Sequence, residues 1–184
     1  RFVRLPKPKL VRLDLGALAA SVLEFSGGEL SLARIEVELK LEPALPEVGA
    51  DESQLRQALL NLVRNAKEAM ERGGRLRVEV ARSGDGQVRL VLADSGPGIP
   101  PENLGNIFEP FFSTKAKGTG LGLALVQQIV SEHGGRIEVD CPPEGGTRVT
   151  ILLPMAARAA TPAGGQAPVG GGGSATATFS FPVP

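Results

Sequence analysis

The chain has 184 residues, 42% hydrophobic and 22% charged, which fits one globular domain with a tail. Twenty basic residues balance twenty acidic ones, so no net charge favours nucleic acid as a partner. A lone Cys141 excludes an internal disulfide and a cysteine metal cluster, and fits a reducing cytoplasm. The sequence lacks an initial Met and a signal-like segment, so we expect a cytoplasmic fragment of a longer protein.

The first predicted elements are a linker, a strand, a helix and a second strand. Residues 1–9 are expected to be an extended linker, because two prolines disfavour helix at the residues before them. The stretch LVRLDL predicts a short strand, and Asp14 can cap a helix over about 15–25. In SLARIEVELKLE apolar and charged residues alternate, which predicts a half-buried strand.

From residue 51 the hydrophobic pattern takes a helical period. Asp51 is expected to cap this second helix, which extends to Arg72, and Gly73 to stop it. Seven apolar side chains form one stripe along it: Leu55, Ala58, Leu59, Leu62, Ala66, Ala69 and Met70.

The remaining elements are two hairpins and a third helix. RLRVEVAR and QVRLVLAD predict strands joined by the turn SGDG, and RIEVDC and TRVTILLP predict a hairpin around PPEGG. The third helix should start near Gly120 and end at HGG. This order predicts an α+β fold, with a mixed, mainly antiparallel sheet covered on one face by about three helices. The folded domain is expected over 10–154, and residues 155–184 are an Ala/Gly/Pro-rich tail that ends in the strand-like ATATFSFPVP.

Asn61 and Asn65 lie one helical turn apart beside the apolar stripe. Asn is a mediocre helix former, because its side chain competes for backbone hydrogen bonds. The pair is either two satisfied core amides or a site whose amide oxygens ligate Mg²⁺. That ion prefers hard oxygens and takes few protein ligands when phosphates supply the others.

In LVLADSGPGI, Asp94 ends a strand and precedes Gly96 and Gly98. The stretch is either a simple turn or the wall of a pocket. A carboxylate there accepts a hydrogen bond from an exocyclic amine, such as that of adenine, and repels the carbonyl that guanine presents. The two glycines would leave room for a flat ring.

The second glycine cluster, GTGLGL, is a weak signal by itself. It lacks the Lys-Ser/Thr pair of a P-loop, and no strand directly precedes it. Gly118, Gly120 and Gly122 do open a helix, whose free N–H groups suit phosphates. Lys115 and Lys117 are either solvated loop charges or phosphate contacts. Three aromatic residues between the glycine clusters are expected to anchor a mobile lid: Phe108, Phe111 and Phe112.

Together these motifs resemble the N, G1, F and G2 boxes of the catalytic ATP-binding domain of sensor histidine kinases, within the Bergerat-fold (GHKL) ATPases. The resemblance covers residues 10–154, and NLVRNAKEAM looks most like the nitrogen-regulation and sporulation-kinase branch. It implies a two-layer α/β sandwich of the Bergerat type with a mobile ATP lid, and it implies ATP or ADP and Mg²⁺ as ligands.

The resemblance also implies roles for single residues. Asn65 would hold Mg²⁺ with Asn61 in support, and Asp94 would bind the adenine amine with help from the Thr147 hydroxyl. Three further residues would shape the adenine pocket: Gly96, Gly98 and Ile99. Six would face the phosphates: Lys115, Gly118, Thr119, Gly120, Leu121 and Gly122. Many relatives carry Lys and an aromatic residue where Glu68 and Ala69 stand here, so Arg64 is our candidate for a phosphate contact from this helix.

Three functions are compatible with this resemblance. The first is the ATP-binding part of a histidine kinase, which serves a histidine on a separate helical domain and then a response regulator. The others are a Bergerat ATPase and a non-catalytic nucleotide-binding module. Asn61 favours the first, because ATP-hydrolysing relatives carry Glu there as a general base and Asn cannot take a proton. The third would be favoured by lost glycines or a lost Asp94, and none is missing.

His133 is the only histidine and lies in SEHGG at a predicted helix end. It is either a C-terminal cation or cap of that helix, or the phosphoacceptor. We expect the acceptor in a helical dimerisation domain that precedes residue 1, in a full protein that is a homodimer. No catalytic residue is then expected in this fragment.

Overall fold

The computed structural model describes residues 5–110, residue 112, residues 122–157 and the backbone of residues 177–180. In these ranges the helices are α1 (Leu15–Leu32), α2 (Glu52–Ala69) and α3 (Gly122–Glu132), with a 3₁₀ turn at Pro101–Asn103. The strands are β1 (Val11–Leu13), β2 (Ile35–Leu41), β3 (Val48–Ala50), β4 (Gly74–Ser83), β5 (Gln87–Asp94), β6 (Arg136–Asp140), β7 (Thr147–Pro154) and β8 (Ala177–Ser180). None of the described helices is long and apolar enough to cross a membrane.

Six strands form the main sheet, in the order β6-β7-β5-β4-β2-β8. β2 and β4 are parallel, because the chain crosses from one to the other through β3 and α2. All other neighbours in this sheet are antiparallel. β1 and β3 form a separate antiparallel pair. The predicted mixed, mainly antiparallel sheet is confirmed.

The helices pack on one face of this sheet. Every second residue of the central strands is buried there, including Leu39 of β2, Val78 of β4, Leu90 of β5 and Ile151 of β7. Burying a side chain of this size contributes about 1.5–3 kcal/mol relative to leaving it exposed. Charged residues occupy alternate positions, as in the ion pair between Arg77 and Glu38 at 3.1 Å. The α+β fold class with helices on one face is confirmed.

Helix α1 is longer than the sequence predicts, because it continues through Gly27 and Gly28 to Leu32. Glycine weakens a helix interior by about 1 kcal/mol relative to Ala. Leu30, however, is only 1% exposed in the core, and such packing supplies most of a helix's stability in a protein. Contacts with the sheet therefore override the local preference.

Two further differences concern short segments. Helix α2 ends at Ala69, three residues before the predicted end, and Gly73 adopts a φ of +89° in the turn that follows. Strand β3 was not predicted from the sequence. It has three residues and forms by pairing with β1, where Val11 is opposite Ala50. The boundaries of the folded domain at 10–154 stay a prediction.

Candidate functional site

The predicted amide pair of α2 faces the start of α3. A Cβ atom placed on Gly122 would lie 3.7 Å from Asn61 Oδ1 and 3.7 Å from Asn65 Oδ1. Both asparagines are half-buried. Asn61 Nδ2 donates to the Gln57 carbonyl oxygen at 3.0 Å, which holds the amide while its Oδ1 stays on the Gly122 side. The structure thus brings three predicted site residues together at the α2–α3 junction.

This junction offers amide oxygens as the protein's contribution to a metal site. Among the described residues, no group of three or more His, Cys, Asp and Glu side chains could hold a metal ion. A metal bound at the junction would take ligands from Asn65 or Asn61, whose amide oxygens face Gly122, and the rest from water or a bound ligand. Mg²⁺ fits this donor set, because it accepts hard oxygens and usually keeps several non-protein ligands.

The other residues predicted to contact the phosphates are either exposed or lie outside the described residues. Arg64 is exposed on α2, as is Glu68. Seven of the predicted residues lie outside the described residues: Phe111, Lys115, Lys117, Gly118, Thr119, Gly120 and Leu121. Their roles stay predictions. In the segment before them, the buried side chain is Ile107, at 6% exposed, whereas Phe108 and Phe112 are only half-buried.

Near the C-terminal end of α2, Asp94 is held by two backbone N–H groups. It is the last residue of β5 and lies opposite Thr147, the first residue of β7. Asp94 Oδ1 accepts from Gly96 N at 2.9 Å and from Thr147 N at 3.4 Å. Thr147 thus contributes its backbone to this carboxylate, and the predicted role of its hydroxyl stays a prediction.

The loop after β5 is attached to both β4 and α2. Ser95 Oγ accepts from Arg75 N at 2.8 Å, and Ser95 N donates to the Arg75 carbonyl oxygen at 3.1 Å. A Cβ atom on Gly96 would lie 3.1 Å from the Ala69 carbonyl oxygen, closer than most real contacts. Glycine at this position therefore lets the loop lie directly against the end of the helix that carries Asn65.

A second loop, between β6 and β7, supports the first one from the other side. Gly146 has a φ of +80°, and a Cβ atom there would overlap the Asp94 carbonyl oxygen. Gly98 has a φ of +83°, and a Cβ atom on it would lie 3.1 Å from the Gly146 carbonyl oxygen. Cys141 Sγ accepts from Ile99 N at 3.3 Å and donates to Ile99 O at 3.6 Å. Residues 94–99 are thus held in place by close contacts with Cys141 and Gly146.

The sequence profile of the histidine kinase-, DNA gyrase B- and HSP90-like ATPases matches residues 50–157, more than half of the chain. This chain belongs to that ATPase family. The match covers α2, the loop after β5, α3, the loop before β7 and the start of β7, which hold all the described site residues. The family that the sequence motifs resemble is confirmed.

Individual relatives place the chain among the histidine kinases of this family. Sensor histidine kinase ZraS of Klebsiella oxytoca is 42% identical over 154 residues, which cover 84% of this chain and 33% of ZraS. The chain thus spans about a third of the length of the ZraS proteins that it matches.

Solved structures agree. Full-length ShkA in complex with AMPPNP matches 85% of this chain and 33% of its own, at 32% identity and a TM-score of 0.75. The nucleotide-free catalytic domain of histidine kinase ThkA is 32% identical with a TM-score of 0.73, and the match covers 80% of this chain and 96% of that domain. ThkA in complex with the response regulator protein TrrA matches 81% of this chain and 42% of that chain, at 27% identity and a TM-score of 0.70. The chain is therefore a histidine kinase catalytic domain.

In this kinase domain, His133 joins α3 to the start of α2. It is 4% exposed, its Nδ1 lies 2.7 Å from the Ile129 carbonyl oxygen, and its Nε2 accepts from Asp51 N at 3.0 Å. Because Nε2 accepts, the proton is on Nδ1 and the ring is neutral. Of the two predicted roles, the structure therefore supports His133 as a neutral cap and not as the phosphoacceptor. Both of its ring nitrogens have hydrogen-bond partners inside the fold.

Asp51, in turn, caps α2. Its carboxylate accepts from Lys9 N at 3.0 Å, Ser53 Oγ at 2.8 Å and Gln54 N at 3.2 Å. These hydrogen bonds, the one from Lys9 first, hold the pKa of Asp51 below its ordinary value of 3.8. The N-terminal segment, α2 and α3 thus meet at one capping residue, which supports the helix that carries the asparagines.

The sequence missed two residues that shape this site. Gly146 belongs to a predicted turn, and a glycine pair there indicates only tight backbone, not which atom it approaches. Cys141 was interpreted only through its redox environment. No local signal could show its contact with Ile99, because that contact joins residues 42 positions apart.

Proposed function

We propose that this domain binds ATP at residues 94–99 and presents its γ-phosphoryl group, together with Mg²⁺ at Asn65, to a histidine on a separate helical domain. The phosphoryl group would pass from that histidine to a response regulator. One observation carries the proposal: the loop of Asp94 packs on the same helix that turns Asn61 and Asn65 toward α3. One nucleotide would then contact the loop of Asp94 with its base and the side of Asn61 and Asn65 with its phosphates.

Adenine recognition is supported by the fixed carboxylate. Gly96 and Thr147 donate their N–H groups to one oxygen of Asp94, so the carboxylate orientation is set before a base arrives. A fixed acceptor pairs with the exocyclic amine of adenine and meets the carbonyl of guanine unfavourably. The absence of a side chain at Gly98 lets the loop pack against Gly146, which keeps this arrangement close.

Phosphate binding is supported by the α2–α3 junction. Mg²⁺, when bound, would neutralise phosphate charge. To hold the ion, the chain would offer the amide oxygens of Asn65 and Asn61 beside the first turn of α3. The first N–H groups of a helix lack helical partners and favour an anionic ligand.

A phosphoacceptor outside this domain is supported by the placement of His133, whose two ring nitrogens are both engaged inside the fold. The helical domain that carries the acceptor, and dimerisation through it, are proposals from the family resemblance. A response regulator as the final acceptor is proposed by analogy with the complex of ThkA and TrrA. Asn61 offers no general base, so we expect very slow hydrolysis by the isolated domain.

Two measurements test the proposal. In calorimetric titrations, ATP and ADP should bind more tightly with Mg²⁺ than without it, and GTP should bind more weakly. With γ-labelled ATP, the domain should not label itself, but should label a histidine-bearing helical hairpin added as a separate chain. Equal affinity for ATP and GTP would refute the role of residues 94–99. Label on the domain itself that His133→Ala abolishes would refute the external acceptor.

A further inference from the structure

The two edges of the main sheet differ in length and in whether a further strand pairs with them. β6 forms one edge, with five residues that include Arg136, Glu138 and Asp140, and two prolines follow it. Short, charged edge strands that end in proline discourage pairing with other strands. Without β8, the opposite edge would be β2, which is longer.

β2 also carries charged residues and is followed by Pro43, but with seven residues it is longer than β6. It pairs with β4 without a bulge over all seven residues, and it contains no proline. Its acidic side chains are engaged by β4, with Glu36 at 3.5 Å from Arg75 and Glu38 at 3.1 Å from Arg77. Lys40 lies 3.6 Å from Glu38. The charges of β2 are thus paired within the sheet, and its outer backbone groups can accept another strand.

The strand on this edge comes from the same chain. β8 pairs antiparallel with Glu38–Leu41 over four residue pairs, among them Leu39 with Phe179. Both β8 and β2 lie outside the residues 50–157 that the family profile matches. Residues 177–184 carry no charged side chain. An uncharged extended segment is a suitable ligand for a strand edge, because main-chain hydrogen bonds supply the affinity.

The chain is long enough to reach this edge without constraint. Ala156 N donates to the Glu47 carbonyl oxygen at 2.8 Å, and Glu47 is six residues from Leu41, the partner of Ala177. Six residues span at most about 21 Å, whereas the chain from Ala156 to Ala177 could span about 70 Å. The connection therefore does not force the pairing. The strand is held by its hydrogen bonds to the edge, and the tether gives it an effective concentration on the order of 1 mM at that edge.

We propose that the outer edge of β2 is a strand-binding site and that residues 177–180 of the same chain are its resident ligand. The site accepts an extended, uncharged peptide in antiparallel orientation. The resident strand excludes other strands from the edge while it is bound. The site shares no residue with the proposed nucleotide site, so we expect the same nucleotide affinity whether or not the edge is occupied.

The first test removes the resident strand from the full 184-residue chain by the double substitution Thr178→Pro and Phe179→Pro. Along an antiparallel strand, the backbone N–H groups of successive residues point alternately toward and away from the partner strand. Proline has no N–H group to donate. One of the two prolines therefore always removes a bond to β2. By NMR hydrogen exchange, outward-facing amides of Glu38–Leu41 should exchange at least tenfold faster, with β4 and β5 amides unchanged. Gly165→Pro with Gln166→Pro adds the same number of prolines outside β8 and should leave exchange unchanged.

The second test adds a synthetic peptide of residues 174–184. It should bind the Thr178→Pro, Phe179→Pro variant on the order of tenfold more tightly than the unsubstituted chain, whose own strand competes. ATP affinity should be equal in both proteins. Equal β2 exchange in all variants, or equal peptide affinity for both proteins, would overturn the proposal. Protection of β2 that rises with protein concentration would assign the strand to a second copy and overturn binding within one chain.

Discussion

The loop of residues 94–99 and the α2–α3 junction are built in different ways, although both belong to the proposed nucleotide site. The loop is held by backbone groups of distant segments: Arg75, Ala69, Gly146 and Thr147. At the junction, the groups that face Gly122 are side-chain amides on a helix whose stability comes from its buried stripe. We infer that substitutions in or under the loop change both fold and affinity, whereas those at the junction change ligand binding alone.

Gly146→Ala is the substitution with the largest expected effect, and it tests whether the loop depends on close backbone contacts. The new methyl group would overlap the Asp94 carbonyl oxygen, so the loop must move, and the residue would also hold a strained positive φ. We expect a loss of about 3 kcal/mol in the free energy of unfolding, the upper end of ordinary single substitutions, and no measurable ATP binding. Denaturant unfolding and calorimetric titration measure the two effects.

Gly145→Ala is the matched control. Gly145 also has a positive φ, of +107°, but a Cβ atom there meets nothing within 4 Å. It should carry the strain of the backbone conformation without the collision, and ATP should still bind. If Gly146→Ala binds ATP as well as Gly145→Ala does, the loop does not depend on this close contact.

Asp94→Asn should have the next largest effect, on affinity more than on fold. Because it replaces a carboxylate acceptor by a mismatched amide, ATP binding should weaken by about 1–3 kcal/mol, and the preference over GTP should shrink. Titrations with both nucleotides measure this. Asp85→Asn, in the β4–β5 turn where Asp85 has a φ of +66°, is the control and should change neither affinity. An unchanged ratio of ATP to GTP affinity would contradict the assignment.

Asp51→Ala tests the support of α2, with an expected loss of about 1 kcal/mol at pH 7, typical of a helix N-cap. The pKa of Asp51 is below 3.8 in the folded protein, so its contribution is present above that pH and declines as pH falls through the lowered pKa. The difference in unfolding free energy between the two proteins should therefore vanish in strong acid. A difference that is constant between pH 7 and pH 2 would show that the carboxylate charge is not involved.

Asn65→Ala should change stability least, by at most about 0.5 kcal/mol, because the side chain lies beside the buried stripe and not in it. The enhancement of ATP binding by Mg²⁺ should nevertheless be lost. Titrations with and without Mg²⁺, together with thermal melts, separate the two effects. Gln57→Ala, an exposed position on the same helix, should retain the Mg²⁺ effect. A variant that melts early but keeps its Mg²⁺ dependence would favour the alternative of a structural core amide.

Much of the fold followed from local patterns. The alternation in β2, β4, β5 and β7 and the helical stripe of α2 predicted these elements, and Asp14 and Asp51 were recognised as caps that the structure confirms. The length of α1 was wrong, because Gly27 and Gly28 weaken a helix locally while Leu30 is held by the sheet. β3 was missed, because a three-residue strand has too short a pattern and exists only through its partner.

The sequence by itself determined the types of the main elements and the family, and it predicted site residues on α2 and after β5, since periodicity, caps and paired glycines act over a few positions. Only the tertiary structure decided that Gly146 lies under Asp94, that Cys141 bonds Ile99, that His133 is a neutral link to α2 and that β8 lies on β2. Each of these joins segments far apart in the chain. Their geometry is set by how helices and strands pack around one core, and no local pattern encodes that arrangement.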